Sequence, residues 1–521
     1  MPKDPIAKGQ YLLLMLAALV PRLAGAIWLP NAFGDAYSYT EQIYFMQRAL
    51  LAGSFGIANL FGFWLPLYQL VCAAVSTVVG TPFLVAKLVS AAAGTGVCLL
   101  VFALALELTA DRRLALLGFI LIAFNPEHVL YSSSAMTDVP HAFLVLLCAY
   151  CCIKSRWVMA SSVALLASLL RVEGWLLLIL IPILQLGRER KVAPLAAALL
   201  PVGPLLWLFV SWQAGGSPFK YFEIRNEYIV QSIAAAPALA QLTLRRVGRD
   251  LLFLIYGANP VTLLVALGLV LAFKRRTFKS FSRWEITAGT VVLSFFVAHV
   301  VFLLAAYFSG NQPDLWPRYG LILFALGLPL VSKTIAQAQD GINRWQRPHG
   351  TDRIEPRHLS LVFRLVACLC CLHFCAQVVE VVRLTTRTDA DQVAAQFLRE
   401  KYAADQSLRV YCDEPAIRVL SGIPLERFVN QYNSPPDKQA FLDSLAARHV
   451  RYLIYKEGPG SQLGVLVREI AGARGQVVLE KVSPQSSEPF SEGIQLYRVD
   501  DLQILAKKRS STKQQHADHY D

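Results

Sequence analysis

The sequence predicts a polytopic α-helical membrane protein with a small α/β domain at its C-terminal end. Three observations carry this reading. Hydrophobic residues fill 55% of the 521 positions and charged ones only 16%, far from the average of soluble domains. Apolar runs recur from Tyr11 to Val382, most of them near the ~20 residues that cross hydrocarbon. Beyond Thr385 the pattern changes to short segments that alternate between helix and strand periodicity.

In chain order, spans are expected near 11–30, 82–106, 114–130, 138–153, 157–170, 174–187, 192–212, 251–273, 286–308, 319–337 and 361–382. The first run is too long for a cleaved leader and reads as a true span. The runs 157–170 and 174–187 are short and flank Arg171 and Glu173, which suggests a tight hairpin with a polar tip facing a cavity. The run Trp64 to Gly80 is laid in the interface or as a re-entrant helix.

The net charge of +13 sets a topology and does not point to nucleic acid. With the N-terminus inside, the inside loops hold Arg112 and Arg113, Lys154 and Arg156, and Arg188, Arg190 and Lys191. They also hold the run Lys274 to Arg283 and the run Arg344 to Arg357. Outside loops are poor in cations except for Lys220 to Arg249. This alternation obeys the positive-inside rule. A twelfth span at 64–80 would place the later basic clusters outside. About eleven spans put the C-terminus outside.

Three segments are expected: a membrane domain over 1–383, an extracytoplasmic α/β domain over 384–505, and a polar, disordered tail over 506–521. In the second, Asp389 to Ala403 and Gln439 to Ala447 read as helices. Leu408 to Tyr411, Arg451 to Tyr455, Val477 to Glu480 and Ile494 to Tyr497 read as strands. Nine of ten cysteines lie in apolar segments and only Cys412 in the α/β domain, so no disulfide framework is expected there. The cluster Cys368 to Cys375 reads as small apolar packing.

The unusual polar residues collect at the outside ends of the spans. Asp35 and Glu41 follow the first span. Asn125-Pro126-Glu127-His128 closes the third, and Met136-Thr137-Asp138 opens the fourth. Arg171 and Glu173 form the next tip, and Asp314, Arg318 and Tyr319 precede the tenth. Charges at that depth are costly to keep idle, and a cavity opening outward explains their gathering. Each also has a plainer reading. Asp35 and Asp138 suit helix starts. Glu127 and His128 suit a solvated loop, Arg171 and Glu173 a structural ion pair, and Arg318 a snorkelling residue. His299 suits a hydrogen-bonded packing residue.

The order of these features resembles the GT-C superfamily of lipid-phosphate-sugar glycosyltransferases. It is closest to the protein O-mannosyltransferase and aminoarabinose transferase branch, including bacterial family-39 and family-83 enzymes. The residues that carry the resemblance are Gly34-Asp35-Ala36-Tyr37-Ser38-Tyr39, Phe63-Trp64-Leu65-Pro66-Leu67-Tyr68, Asn125-Pro126-Glu127-His128, and Ala135-Met136-Thr137-Asp138. Leu170-Arg171-Val172-Glu173-Gly174 and Pro317-Arg318-Tyr319-Gly320 complete it, over roughly residues 10–340. Two departures stand out. Many relatives have Asp-Glu where this chain has Asp35-Ala36, and Lys-Pro-Pro-Leu where it has Trp64-Leu65-Pro66-Leu67.

The resemblance implies transfer of a sugar from a polyprenyl-phosphate donor to an acceptor hydroxyl on the outer face of the membrane. It implies Asp35 as the base, because an acceptor hydroxyl needs a carboxylate within hydrogen-bond reach. The leaving phosphate needs cations, and forked guanidinium groups suit it. The lost lysine's role then passes to Arg318 or Arg171. Asp138, Glu127, His128, Glu173 and Tyr319 are the expected substrate-binding residues. No metal spacing is present, so a divalent cofactor is compatible with the reaction but not indicated. Expected partners are the donor, the bilayer, and a glycan, lipid or protein acceptor. The compact Arg-rich chain points to a bacterial inner membrane. A transporter or lipid flippase is the alternative, although no internal repeat marks one. A scaffold protein would explain the outer domain but not Asp35, Arg171 and Arg318 together.

Overall fold

The computed structural model describes residues 8–31, 33–235, 243–265, 268, 286–312, 314–346, 371–383, 389–430, 438–456, 479–481 and 494–499. The chain separates into two compact units. One is Met1–Gln231 with Leu239–Thr385, and the other is Ser232–Ala238 with Thr386–Asp521.

The first unit is helical. It opens with α1 (Lys8–Trp28), α2 (Gly34–Leu51), α3 (Leu67–Val79) and α4 (Pro82–Thr109). Next come α5 (Arg112–Ala123), α6 (Pro126–Ser132), α7 (Asp138–Ile153), α8 (Trp157–Ser168) and α9 (Leu177–Glu189). Then follow α10 (Pro194–Leu199), α11 (Val202–Gly215), α12 (Lys220–Ala235), α13 (Leu244–Ala258), α14 (Ala288–Phe308) and α15 (Gly320–Gln346). Residues 371–383 are also helical. Among the described residues five helices are long and apolar enough to cross a membrane, or six if the bent pair α5–α6 is one span. The hairpin expected around Arg171 is present, with a 3-10 turn at Val172–Leu176 joining α8 and α9.

Helix α4 is the hub, packed against α1, α5, α7 and α15. Small residues make the approach possible. A Cβ on Gly94 would collide with Ser132, and one on Gly96 with the Phe143 ring. Close backbone approach of this kind drives helix association where both sides are apolar.

Two expected spans are broken. The run 114–130 bends by 63° between α5 and α6. A bend in hydrocarbon strands the carbonyls at the end of α5, which is costly without partners. Arg22 of α1, fully buried, supplies them. Its guanidinium donates to Ile122 O at 3.3 Å, Ala123 O at 3.1 Å and Ala18 O at 2.6 Å. It also lies 2.8 Å from His128 Nδ1 and 3.0 Å from Cys98 Sγ. On the other side of the bend, Asn125 Oδ1 caps α6 by accepting from the His128 amide at 2.8 Å. The run 251–273 is interrupted at Asn259, whose φ is +65°. Asparagine is among the few side chains that tolerate this conformation. Helix resumes at residue 260.

The second unit holds a five-stranded sheet ordered β2-β1-β3-β5-β4. The strands are β1 (Val410–Cys412), β2 (Phe428–Val429), β3 (Tyr452–Lys456), β4 (Leu479–Lys481) and β5 (Ile494–Val499). β1 runs parallel to both β2 and β3, while β5 is antiparallel to β3 and β4. Its helices are α16 (Asp389–Ala404), α17 (Pro415–Ser421) and α18 (Lys438–Ala447). The core combines Leu398 of α16 with Val410, Cys412, Ile417 and Ile454. Strand β2 and helix α17 were not expected; at two and seven residues they are too short for periodicity to reveal. Cys412 is fully buried, and burial pushes its thiol up, so it is an inert packing residue. The 506–521 tail, the basic runs 274–283 and 347–357, and Cys368 lie outside the described residues.

Candidate active site

Asp35 sits in the first turn of α2, with Phe33 at the cap position and no side-chain cap bond. The helix-cap reading of Asp35 is therefore wrong. Its carboxylate turns to Arg318, in the 3-10 turn Pro317–Tyr319 that leads into α15. Arg318 Nη1 donates to Asp35 Oδ2 at 2.8 Å. The side chain of Arg318 is 15% exposed and that of Asp35 42%. The guanidinium lies over the rings of Phe33, at 5.5 Å, and Tyr319, at 5.3 Å. These faces hold its plane and shield it.

The turn bearing Arg318 is held from several sides. Gly257 and Gly320 mark the contact of α13 with this turn: a Cβ on Gly257 would strike the Pro317 carbonyl, and one on Gly320 the Ala258 amide. Gln312 Nε2 donates to Tyr319 OH at 2.9 Å and to Asp314 O at 3.0 Å. Arg246 and Arg249 of α13 both lie 3.9 Å from Asp314. Asp250 accepts from Tyr307 OH at 2.9 Å and pairs with Arg249 at 2.8 Å.

Arg171 occupies the tip between α8 and α9 in an extended conformation. It donates to both oxygens of Glu173, at 2.7 and 3.3 Å. Nη1 reaches Asp138 Oδ1 at 3.1 Å and Thr137 Oγ1 at 3.2 Å. Thr137 in turn contacts Tyr39 OH at 3.1 Å. Tyr319 covers the guanidinium at 5.9 Å. Asp138 starts α7, where Thr137 makes no side-chain cap bond; Asp138 is an ion-pair partner and not a cap. These two clusters share one cleft, lined by Asp138, His141, Arg171, Glu173, His299, Leu303, Arg318, Tyr319 and Ile322.

Glu127 and His128 do not line this cleft. Neither is in a solvated loop: both are buried in α6. Glu127 accepts from Gln377 Nε2 at 3.0 Å, and Gln377 Oε1 accepts from Asn125 at 2.7 Å. His128 faces Arg22. They complete the polar support of the helix bend instead. One polar cleft residue, His141, went unrecognised, and His299 was read only as a packing residue. His141, one turn after Asp138 on α7, has both ring nitrogens without a partner, and His299 has Nε2 without one. His299 does hydrogen-bond to Phe295 O at 2.8 Å, as its packing reading implies. For His141 the signal was its spacing of three from Asp138, which places both on one helix face.

The comparisons with known proteins follow this geometry. A family model, dolichyl-phosphate-mannose-protein mannosyltransferase, matches residues 16–253. In solved structures, ArnT from Cupriavidus metallidurans bound to undecaprenyl phosphate is similar with a TM-score of 0.57 and 14% identity. The match covers 95% of this chain and 99% of that one. ArnT from the same organism in the apo state matches with a TM-score of 0.59 and 13% identity, over 94% and 98%. The chain has the fold of these ArnT structures, and its first 253 residues contain the match to the mannosyltransferase family model. It is accordingly an integral membrane protein. No curated protein matches it by sequence. The family match includes the loop with Asp35 and the tips with Asp138 and Arg171, and stops before Arg318. Among the described residues no group of three or more His, Cys, Asp or Glu could hold a metal.

Proposed function

We propose that this chain is a GT-C glycosyltransferase that moves a sugar from a polyprenyl-phosphate donor to an acceptor hydroxyl, with the phosphate-sugar head of the donor in the cleft. The Asp35–Arg318 contact, at 2.8 Å, carries the proposal. It joins the one well-exposed carboxylate at the site to a largely shielded guanidinium, which is the pairing of base and anion receiver that the reaction needs. Asp35 takes the proton of the acceptor hydroxyl as its oxygen bonds to the anomeric carbon. The bond from that carbon to the phosphate oxygen breaks, and its electron pair stays on the lipid phosphate, where Arg318 receives the charge. Arg171 is already engaged by Glu173 and Asp138, so its role is to fix the cleft wall and keep those carboxylates paired.

In this reading the membrane unit, near residues 1–383, does the chemistry at the outer face of a bacterial inner membrane. The α/β unit over 384–505 positions the acceptor or stabilises the bundle. The deciding experiment reconstitutes the purified chain in lipid with radiolabelled polyprenyl-phosphate sugars. Transfer to acceptor is expected. Movement of label across the bilayer with no transfer would replace this reading by a flippase.

A further inference from the structure

We propose that His141 and His299 determine which sugar is accepted, by reading a pair of neighbouring hydroxyls on the transferred group. The inference rests on the proposed transfer reaction and deepens it.

The two rings are tilted neighbours in the cleft lining, with centroids 6.2 Å apart and planes at 55°. Both residues are almost fully buried, at 3% and 2% exposure. Buried polar atoms are nearly always paired, yet three of the four ring nitrogens have no partner in the chain. His299 Nδ1 lies 2.8 Å from Phe295 O, an acceptor, so Nδ1 carries the proton. In the neutral ring Nε2 is then an acceptor. His141 offers one donor and one acceptor. Each hydroxyl of a vicinal diol can donate and accept, so such a diol matches the free ring nitrogens in hydrogen-bonding character.

The surroundings favour a neutral polyhydroxyl group over an ion. The charged members of the cleft are already matched: Arg171 with Glu173 and Asp138, and Arg318 with Asp35. The remaining lining, Leu303, Tyr319 and Ile322, is apolar or aromatic and suits the faces of a sugar. A metal is disfavoured, because the only carboxylates at hand are bonded to arginine and no three-ligand group exists among the described residues. Neither imidazole is bonded to Asp35 or Arg318, whose contact is with each other, which leaves phosphate binding and proton removal to those two. His141 and His299 are therefore specificity residues and take no part in bond making.

The test uses the full chain in lipid, the sugar donor that the wild type transfers, and analogues of that donor lacking one hydroxyl each. Undecaprenyl phosphate without sugar serves as the control ligand. The wild type should reject at least one deoxy donor. His141→Phe and His299→Phe should each lower kcat/KM for the hydroxylated donor about tenfold or more, the usual cost of leaving a buried polar partner unmatched. The same variants should lose discrimination against that deoxy donor and bind bare undecaprenyl phosphate as the wild type does. Loss of undecaprenyl phosphate binding would mark a folding failure. His141→Gln and His299→Gln, which stay polar but move the hydrogen-bonding atoms, then decide the matter. An unchanged ratio of hydroxylated to deoxy turnover in folded variants overturns the inference and leaves the transfer reaction standing. A wild type that transfers no sugar overturns both.

Discussion

Asp35 and Arg318 are 283 positions apart in sequence and 2.8 Å apart in space, Oδ2 to Nη1. The pairing has a consequence for the order of events. In the proposed reaction a donor phosphate would compete with the Asp35 carboxylate for the same guanidinium. Arg171 is held by two carboxylates whose side chains are 5% and 18% exposed, whereas the Asp35 side chain is 42% exposed. An ion pair with one partner in water is weak, so Arg318 is the arginine that can exchange partners. On the proposed reaction, phosphate binding would release Asp35 towards the acceptor.

For Asp35→Asn this competition predicts two opposite effects. Turnover should fall by about 10²–10⁴-fold, because the amide takes no proton. Binding of bare undecaprenyl phosphate should stay equal or tighten, because the competing negative charge is gone. Helix α2 should persist, since Asp35 makes no cap bond. Measuring turnover and lipid-phosphate binding on one preparation checks both; weaker binding would contradict the exchange.

Arg318→Ala should lower kcat by roughly 10²–10³-fold, the scale of losing one preorganised donor to a developing anion. Arg318→Lys keeps the charge but loses the planar fork and its stacking on Phe33 and Tyr319, so it should recover only part of the loss. Full activity in the alanine variant, at normal expression, would remove Arg318 from the site.

Arg171→Met predicts a stability defect before a kinetic one. It strands Asp138 and Glu173, which both bond to Arg171. Removing one member of a buried ionic network costs about 3–5 kcal/mol. Thermal unfolding in lipid or detergent should show a clear drop, smaller for Arg171→Lys. A variant as stable as the wild type would show that the network contributes nothing to the fold.

Gly257→Ala acts at a distance. Its methyl group would strike the Pro317 carbonyl, the residue before Arg318, so it should shift the turn and lower turnover while α13 remains helical. Misplacements of about 1 Å far from the chemistry can cost 10²-fold. Transfer assays paired with circular dichroism separate this from unfolding, and unaltered turnover would show the turn to be tolerant.

Topology offers a further check. On the proposed topology the basic loops lie inside with Arg276, and Gln406 lies outside, so reporter fusions at these two positions should report opposite sides of the membrane. The same side for both would reverse the orientation proposed for the cleft.

The sequence by itself determined what depends on neighbours along the chain. Hydropathy over ~20-residue windows marks the long helices, and alternation after Thr385 marks the order of the later helices and strands. The same local view placed Asp35, Asp138, Arg171, Glu173 and Arg318 at the ends of apolar runs; four of them line one cleft, and Asp35 joins it through its ion pair with Arg318. Local reading failed where partners are remote. Glu127 and His128 stand in the same kind of position as Asp138, yet their partners Gln377 and Arg22 lie 250 and 106 residues away. Those partners draw them into the support of the α5–α6 bend. The bend, the break at Asn259 and the closeness of His141 to His299 were decided by tertiary structure alone. The physical reason is that a buried polar group must find a partner in three dimensions, and packing angles between helices, not spacing along the chain, select which one it meets.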